Sequence, residues 1–449
     1  MKITPEIRQY SKLCLENDPI ESKLFKEWNV YRGLRDNNGV GVLTGLTHVS
    51  DIYSKRWNED HYDYFDGVLK YRGLGIEDLV NGFMSENRFG FEEISYLLMF
   101  GKLPSLSELE EFKETLVADM ELPQNFVRDV IMKSPTEDIM NSLARSVLML
   151  HNYDKAANDT SIENVVAQSL YLISVFPMLA VYSYNAYRHY IKNDSMIIHR
   201  PDKKLSTAEN ILRMLRPDKE YTYTEAKVLD MALVLHAEHG GGNNSTFTTH
   251  VVTSTGTDTY SAIASALCSL KGPRHGGASL KVTQMFADIE KNVKNWDDEG
   301  QVRDYLLKIK KGEAFDRSGL IYGVGHAVYA YSDPRAKLLK KRLHELCAEK
   351  HNMKEFALYN LVEKLAPGIV EETSSVKKPL CVNVDFYSGL LYKMLGIPKE
   401  LYCPMFAVAR ITGWSAHRCE EIINSGKIIR PAYENVCPHT DYIPITERQ

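Results

Sequence analysis

Three short stretches set single ionisable side chains among glycines and other small residues. They are Gly-Pro-Arg-His275-Gly-Gly, Gly-Val-Gly-His326-Ala-Val-Tyr followed by Asp333-Pro-Arg335, and Asn-Val-Asp385-Phe-Tyr-Ser-Gly. Two imidazoles and a carboxylate suit one reaction class: removal of a carbon-bound proton next to a carbonyl, with support for the enol that forms. The glycines let backbone approach a substrate closely.

Each residue has a plain reading beside the chemical one. His275 and His326 are either turn histidines or ligands placed where free backbone N–H groups can hold an anion. Arg335 follows Asp333 and Pro334, which suit a helix cap and first turn. There it is either a bidentate carboxylate clamp or a surface arginine. Asp385 lies among apolar neighbours, so it is either a cap or a base strengthened by burial. Arg410 interrupts the apolar run Ala-Val-Ala-Arg-Ile. A buried guanidinium there requires an anion. Arg430, in Lys-Ile-Ile-Arg-Pro, is a weaker case. His236-Ala-Glu-His239 shares a helical face and admits zinc, though it is not a His-Glu-x-x-His motif. A structural His236 with a ligand-binding His239 fits better, and no metal is expected.

The elements that must position these residues are mostly helices. Ser105-Leu-Ser-Glu108 and Ser206-Thr-Ala-Glu209 are capping boxes, which predict helices running to Met120 and through Leu215. Thr224 to His239 reads as a helix apolar nearly all round, closed by Gly240-Gly-Gly242. Further helices are expected at 258–270, 277–293, 301–311, 333–350, 353–365, 386–395 and 404–424. Strand signals are confined to Gly41–Gly45 and Gly67–Arg72. The uncharged run Asn164–Tyr187 is long enough for a bilayer, but its polar residues favour a buried helix. Charge rises between about 288 and 380, as if a smaller domain were inserted.

Composition excludes several classes. The net charge of −5 and the absence of a basic run argue against nucleic acid as a partner. Seven scattered cysteines without a CxxC pair favour a reducing compartment. Met-Lys-Ile-Thr-Pro-Glu lacks a signal-peptide core. A cytoplasmic location without membrane attachment is expected. Gly39-Val-Gly41-Val-Leu-Thr-Gly45 has the wrong spacing for a dinucleotide loop.

Taken in order, the three opening stretches resemble the citrate synthase family of the helical type. Asp66-Gly-Val-Leu-Lys-Tyr-Arg-Gly73, His236-Ala-Glu-His239, Phe406-Ala-Val-Ala-Arg410-Ile-Thr-Gly-Trp and Lys427-Ile-Ile-Arg430-Pro match its patterns too, over about residues 40–435. The resemblance implies a mainly α fold: a large multi-helix domain (1–275 and 385–449), a smaller helical domain inserted at 276–384, and a short N-terminal β segment. It implies an acyltransferase of the tricarboxylic acid cycle that joins acetyl-CoA to oxaloacetate and hydrolyses citryl-CoA. Propionyl-CoA, giving 2-methylcitrate, is the alternative. By resemblance Asp385 is the base, His275 supports the enol and His326 polarises the ketone. His239, Arg335 and Arg410 hold oxaloacetate, and Arg430 reaches in from the second subunit of a homodimer. No cofactor is implied, since acetyl-CoA is a co-substrate. The family also closes its small domain when oxaloacetate binds. Two details depart from common members: Gly-Gly-Gly-Asn-Asn follows His239, and Ala327 follows His326.

Overall fold

A computed structural model of the chain describes residues 2–36, 40–59, 61–118, 120–373, 379–424 and 426–448. It separates into two compact units, Met1–Leu46 and Thr47–Gln449. The first carries α1 (Pro5–Asn17) and α2 (Ser22–Glu27), neither of which buries a residue. Thr4 caps α1 ahead of Pro5, as expected for a proline at the first helical position.

The second unit opens with a three-stranded antiparallel sheet in the order β1 (Ser50–Asn58), β2 (His61–Tyr71) and β3 (Leu74–Gly75). Then come α3 (Ile76–Ser85), α4 (Phe91–Phe100), α5 (Leu106–Ala118), α6 (Ile139–Leu150), α7 (Ile162–Lys192), α8 (Thr207–Leu215) and α9 (Tyr223–His236). After these follow α10 (Asn244–Thr253), α11 (Thr259–Leu270), α12 (Ala278–Asn292), α13 (Glu299–Lys310), α14 (Pro334–Glu349), α15 (Met353–Thr373), α16 (Val384–Met394) and α17 (Tyr402–Asn424). The fold is mainly α, as the sequence implied.

Local signals set many helix starts. Ser105 and Glu108 exchange the two expected bonds at α5. Both bonds of the capping box form at Ser206–Glu209, and again at Thr222–Glu225 ahead of α9. α7 is the uncharged run of the sequence. Every residue from Leu172 to Tyr187 is buried, and the helix packs against α17. It is long and apolar enough to cross a membrane, but in this chain it is a core helix.

Three expectations are corrected. No regular strand forms at Gly41–Gly45. Gly41 makes one isolated bridge to Arg35, while Leu43 and Leu46 stay exposed. A strand needs a partner and a face to bury, and β1 has both, pairing Ser50 with Tyr71 across β2. The second correction is α15, which continues past 365 through Pro367 to Thr373. Burial of Leu365, Ala366 and Ile369 holds it, against a cost of about 3 kcal/mol for an internal proline.

The third correction bears on the site. α9 ends at His236 and not at His239. The Tyr71 hydroxyl lies 3.0 Å from the Val234 carbonyl and 3.0 Å from the Glu238 carbonyl. It also accepts from the Glu238 N–H at 3.4 Å. A buried phenol from β2 thus takes the Glu238 N–H that would have bonded the Val234 carbonyl in the next helical turn, and Val234 accepts the Ala237 N–H instead, at 3.3 Å. Tyr71→Phe takes the phenol away from the buried Glu238 carbonyl and N–H, at about 1–3 kcal/mol, while the Val234 carbonyl keeps the Ala237 N–H at 3.3 Å. The expected outcome is a lower thermal unfolding midpoint by differential scanning calorimetry. An unchanged midpoint would contradict this origin of the helix end.

Candidate active site

Six of the residues singled out in the sequence line one cavity of about 310 Å³: His239, His275, His326, Arg335, Asp385 and Arg410. They come from six places in the fold. His239 follows α9, His275 precedes α12, and His326 lies in the loop before α14. Arg335 and Asp385 stand in the first turns of α14 and α16, and Arg410 is in mid-α17. Arg430 is exposed and does not line this cavity.

His326 and Asp385 are stitched together by backbone. Val324 bridges Val382, Gly325 N–H donates to the Cys381 carbonyl at 2.8 Å, and Asn383 N–H donates to the Gly323 carbonyl at 2.9 Å. The motif needs its glycines here. Gly323 and Gly325 have φ of +81° and +94°, and a Cβ on Gly323 would meet Phe386 and Val282 side chains at 2.9 Å. Asn383 then caps α16 by accepting the Asp385 N–H at 3.0 Å. Asp385 opens on the cavity, yet burial is the largest influence on it. Arg335 and Arg410 pull the other way and Asp333 adds to the rise, which takes the carboxyl to about 6. It is ionised at neutral pH and a stronger base than an ordinary aspartate.

The imidazoles of the cavity are held by specific partners. His326 Nδ1 accepts the N–H groups of Val328 and Tyr329, each at 3.0 Å. A neutral ring therefore carries its proton on Nε2. Its face stacks on Tyr329 with centroids 4.6 Å apart. His275 Nε2 is 3.1 Å from Ser245 Oγ, which in turn accepts from Trp414 Nε1 at 3.1 Å. Burial and then the Arg410 charge push His275 down to about 4. It is neutral at physiological pH. His239 lies 3.1 Å from the Tyr329 hydroxyl. Burial first, then Arg335, His326 and Arg410, hold it well below the ordinary histidine range.

The two arginines differ in a way that decides what the cavity takes. Arg335 is paired: Nε donates to Asp333 Oδ1 at 3.0 Å and Nη2 to Oδ2 at 2.8 Å. Asp333 also accepts the backbone N–H of Arg335 at 3.0 Å and of Val384 at 3.1 Å. It therefore ties the starts of α14 and α16 to one carboxylate. Arg410 is 2% exposed and donates one hydrogen bond, from Nε to the His236 carbonyl at 2.7 Å. Among the described residues no carboxylate forms an ion pair with it. Burial lowers its pKa, and the charge of Glu238 only partly opposes this. A buried cation without a counter-ion favours an anionic ligand strongly.

His236 has no place in a metal centre. It is fully buried, with Nε2 3.1 Å from Ser388 Oγ, Nδ1 3.2 Å from the Tyr392 hydroxyl, and its face stacked on Phe406. The zinc alternative on His236 and His239 fails because helix α9 stops between them and both His236 nitrogens are engaged. Sequence reading treated Asp333 only as a cap and passed over Ser245 and Tyr329. The motif Asp333-Pro-Arg335 held a signal for the first, since cap and arginine are two residues apart. Ser245 and Tyr329 are recognisable only once folded.

The sequence also matches the family model described as "Citrate synthase, C-terminal domain" over residues 39–432. The chain belongs to the citrate synthase family. A citrate synthase of Synechocystis is 37% identical over 86% of this chain and 90% of its own length. A 2-methylcitrate synthase of Corynebacterium glutamicum is 31% identical over 91% of this chain and 97% of its own. The Thermoplasma acidophilum citrate synthase, solved as a ternary complex with carboxymethyl coenzyme A and oxaloacetate, superposes with a TM-score of 0.75. It is 26% identical, covering 93% of this chain and 99% of that one.

Asp385 allows a stability test. Burial disfavours its ionised form, so the native state holds the proton more tightly than the unfolded chain, whose aspartates titrate near about 3.9. The stability this group contributes at low pH is lost as pH rises through about 6. Asp385→Asn has no charge to desolvate. The variant should unfold at a higher temperature than the parent at about pH 7.5, with the gain shrinking as pH falls below 6. Equal midpoints across that range would show that the carboxyl titrates normally.

Proposed function

We propose that this enzyme condenses acetyl-CoA with oxaloacetate and hydrolyses the citryl-CoA formed, releasing citrate and CoA in the tricarboxylic acid cycle. Arg410 carries the reading: a buried guanidinium without an ion pair opens on a cavity that also holds a base and two neutral imidazoles. Oxaloacetate brings two carboxylates. One meets Arg410, and Arg335 and His239 hold the rest of the molecule.

Asp385 takes a methyl proton from acetyl-CoA. That proton is weakly acidic, so the barrier falls only if the enolate oxygen is met by a donor. His275 supplies it. Ser245 donates its hydroxyl proton to His275 Nε2, which leaves the ring proton on Nδ1 for the thioester oxygen. Asn243, whose side-chain oxygen is placed 2.9 Å from Ser245 Oγ, then turns its amide nitrogen to that hydroxyl. A neutral donor suits an enol better than a full cation would. The enol carbon attacks the ketone carbon of oxaloacetate, and His326 gives its Nε2 proton to the oxygen that becomes the citryl hydroxyl. Water then adds to the thioester carbonyl, returning a proton to His326 Nε2, and the CoA thiolate leaves with the proton that Asp385 had taken. Acetyl-CoA is consumed as co-substrate, and no cofactor takes part.

The chain works in the cytoplasm as a homodimer whose Arg430 reaches the partner's cavity. Its exposure and its absence from the cavity of its own chain support this. Residues 276–384 act as the smaller domain, between the two parts of the large one at 1–275 and 385–449, and close over bound oxaloacetate. In support, α13 and α14 both pack on α15 within that segment. Residues 374–378 of that segment lie outside the described residues.

The 2-methylcitrate reading is kept because Leu270 and Phe406 give the cavity an apolar wall. One methyl group changes discrimination by only about 1–3 kcal/mol. Release of CoA thiol on mixing the protein with oxaloacetate and either acetyl-CoA or propionyl-CoA tests both readings. Fast, oxaloacetate-dependent release with acetyl-CoA is expected, and release favouring propionyl-CoA would select the alternative. Absence of release with both would overturn the proposal. Arg410→Gln should weaken oxaloacetate binding by about 2–5 kcal/mol, read as a rise in its KM. An unchanged KM would remove Arg410 from the substrate site.

A further inference from the structure

A second cluster of chemistry-bearing side chains lies beneath the loop that carries His239, outside the cavity. His250 on α10 and His417 on α17 face each other, with His250 Nε2 3.0 Å from His417 Nδ1. Glu420, one turn on from His417, places Oε2 3.6 Å from His417 Nδ1. The three donor atoms all lie within 4.8 Å of one another. An N–H···N bond between the rings would satisfy the two histidines alone. It leaves Glu420 Oε2, which is buried and has no hydrogen-bond partner. Glu420 Oε1 is already engaged, accepting the His48 N–H at 2.6 Å.

The outward nitrogens are equally specific. His250 Nδ1 is 2.7 Å from Glu421 Oε2, and His417 Nε2 is 3.1 Å from Glu238 Oε1. A carboxylate behind each imidazole fixes its orientation and strengthens the opposite nitrogen as a donor, the arrangement that metal-ligating histidines adopt. Two donors on a tetrahedral zinc, each at about 2.0–2.1 Å, lie roughly 3.3 Å apart. The measured separations of 3.0 and 3.6 Å bracket that value.

Charge points the same way. Glu238, Glu420 and Glu421 surround the two rings, and Arg72, the cation beside Glu420, donates to the Leu98 carbonyl through Nε and Nη2. A divalent ion takes the place of the ring proton by which His417 otherwise answers Glu238 and Glu420. Entry is open at one side, where His250 and Glu421 side chains are 13% and 17% exposed. Gly241 passes over the cluster: a Cβ there would stand 3.5 Å from His417 Cε1 and 3.8 Å from His250 Nε2.

We propose that His250 Nε2, His417 Nδ1 and Glu420 Oε2 bind a borderline divalent cation, with Zn²⁺ the best match. Two imidazoles and one carboxylate suit zinc or cobalt, whereas magnesium and calcium prefer oxygen throughout. The ion joins α10 to α17 and sits behind Glu238, the residue before His239. It is structural, outside the cavity, and takes no part in the condensation.

The test uses full-length protein stripped with a chelator and titrated with ZnCl₂ by calorimetry, with Co²⁺ as an optical reporter. One equivalent of Zn²⁺ per chain is expected, with a rise in the thermal midpoint on loading. The Co²⁺ complex should lack a thiolate charge-transfer band, which separates this site from the exposed thiols of Cys14, Cys268 and Cys437. Glu420→Gln keeps an acceptor for the His48 N–H and removes the anionic ligand. It and His250→Gln should each weaken binding at least about tenfold. Where either variant fails to fold, Glu421→Gln reads the same site through His250 and should weaken binding by about 10–100-fold. No zinc uptake by the parent protein, a thiolate band, or variants that bind as the parent does would each overturn the assignment.

Discussion

Two of the helix starts at the cavity are tied to the buried carboxylate of Asp333. It caps α14, clamps Arg335 through two bonds, and accepts the N–H of Val384 at the start of α16. A single anion thus sets the angle between two helix starts, one carrying Arg335 and the next carrying Asp385. Such a group is costly to bury alone, and its pairing with Arg335 and two N–H groups offsets that cost. The glycine ladder from Gly323 to Asn383 then brings His326 to the same helix start. Remove the carboxylate, and Arg335 becomes a second uncompensated cation beside Arg410.

The electrostatics follow from unequal pairing. Arg335 carries its own counter-ion and Arg410 does not. Among the described residues Arg410 is therefore left without a direct ion-pair partner, and after burial its charge lowers the proton affinity of His275 and, with that of Arg335, of His239. Asp385 moves the opposite way because burial outweighs both arginines. Carboxyl and imidazoles are pushed toward opposite protonation behaviour, so Asp385 is ionised and His275 and His239 are neutral near pH 7. That separation is what general acid–base chemistry at a carbonyl requires.

Much of this was legible before folding. Six of the seven residues singled out in the sequence line one cavity, and capping boxes marked the starts of α5 and α8 to the residue. What was not legible depends on contacts far apart in the chain. The end of α9 is set by Tyr71, more than one hundred and fifty positions upstream, so a pattern that runs through His239 misplaces it. β1 exists because β2 pairs with it, whereas Gly41–Gly45 had a strand-like composition and no partner. The His236–His239 spacing suggested a ligand pair that the helix end separates. His250 and His417, which do face each other, carry no common motif and are joined only by the packing of α10 on α17.

The most direct test is a crystal structure of the protein soaked with oxaloacetate. The account predicts one carboxylate of the ligand on the Arg410 guanidinium, with the ketone oxygen within hydrogen-bond reach of His326 Nε2. Ligand bound elsewhere, or Arg410 neutralised by a protein carboxylate with the cavity refusing oxaloacetate, would contradict it.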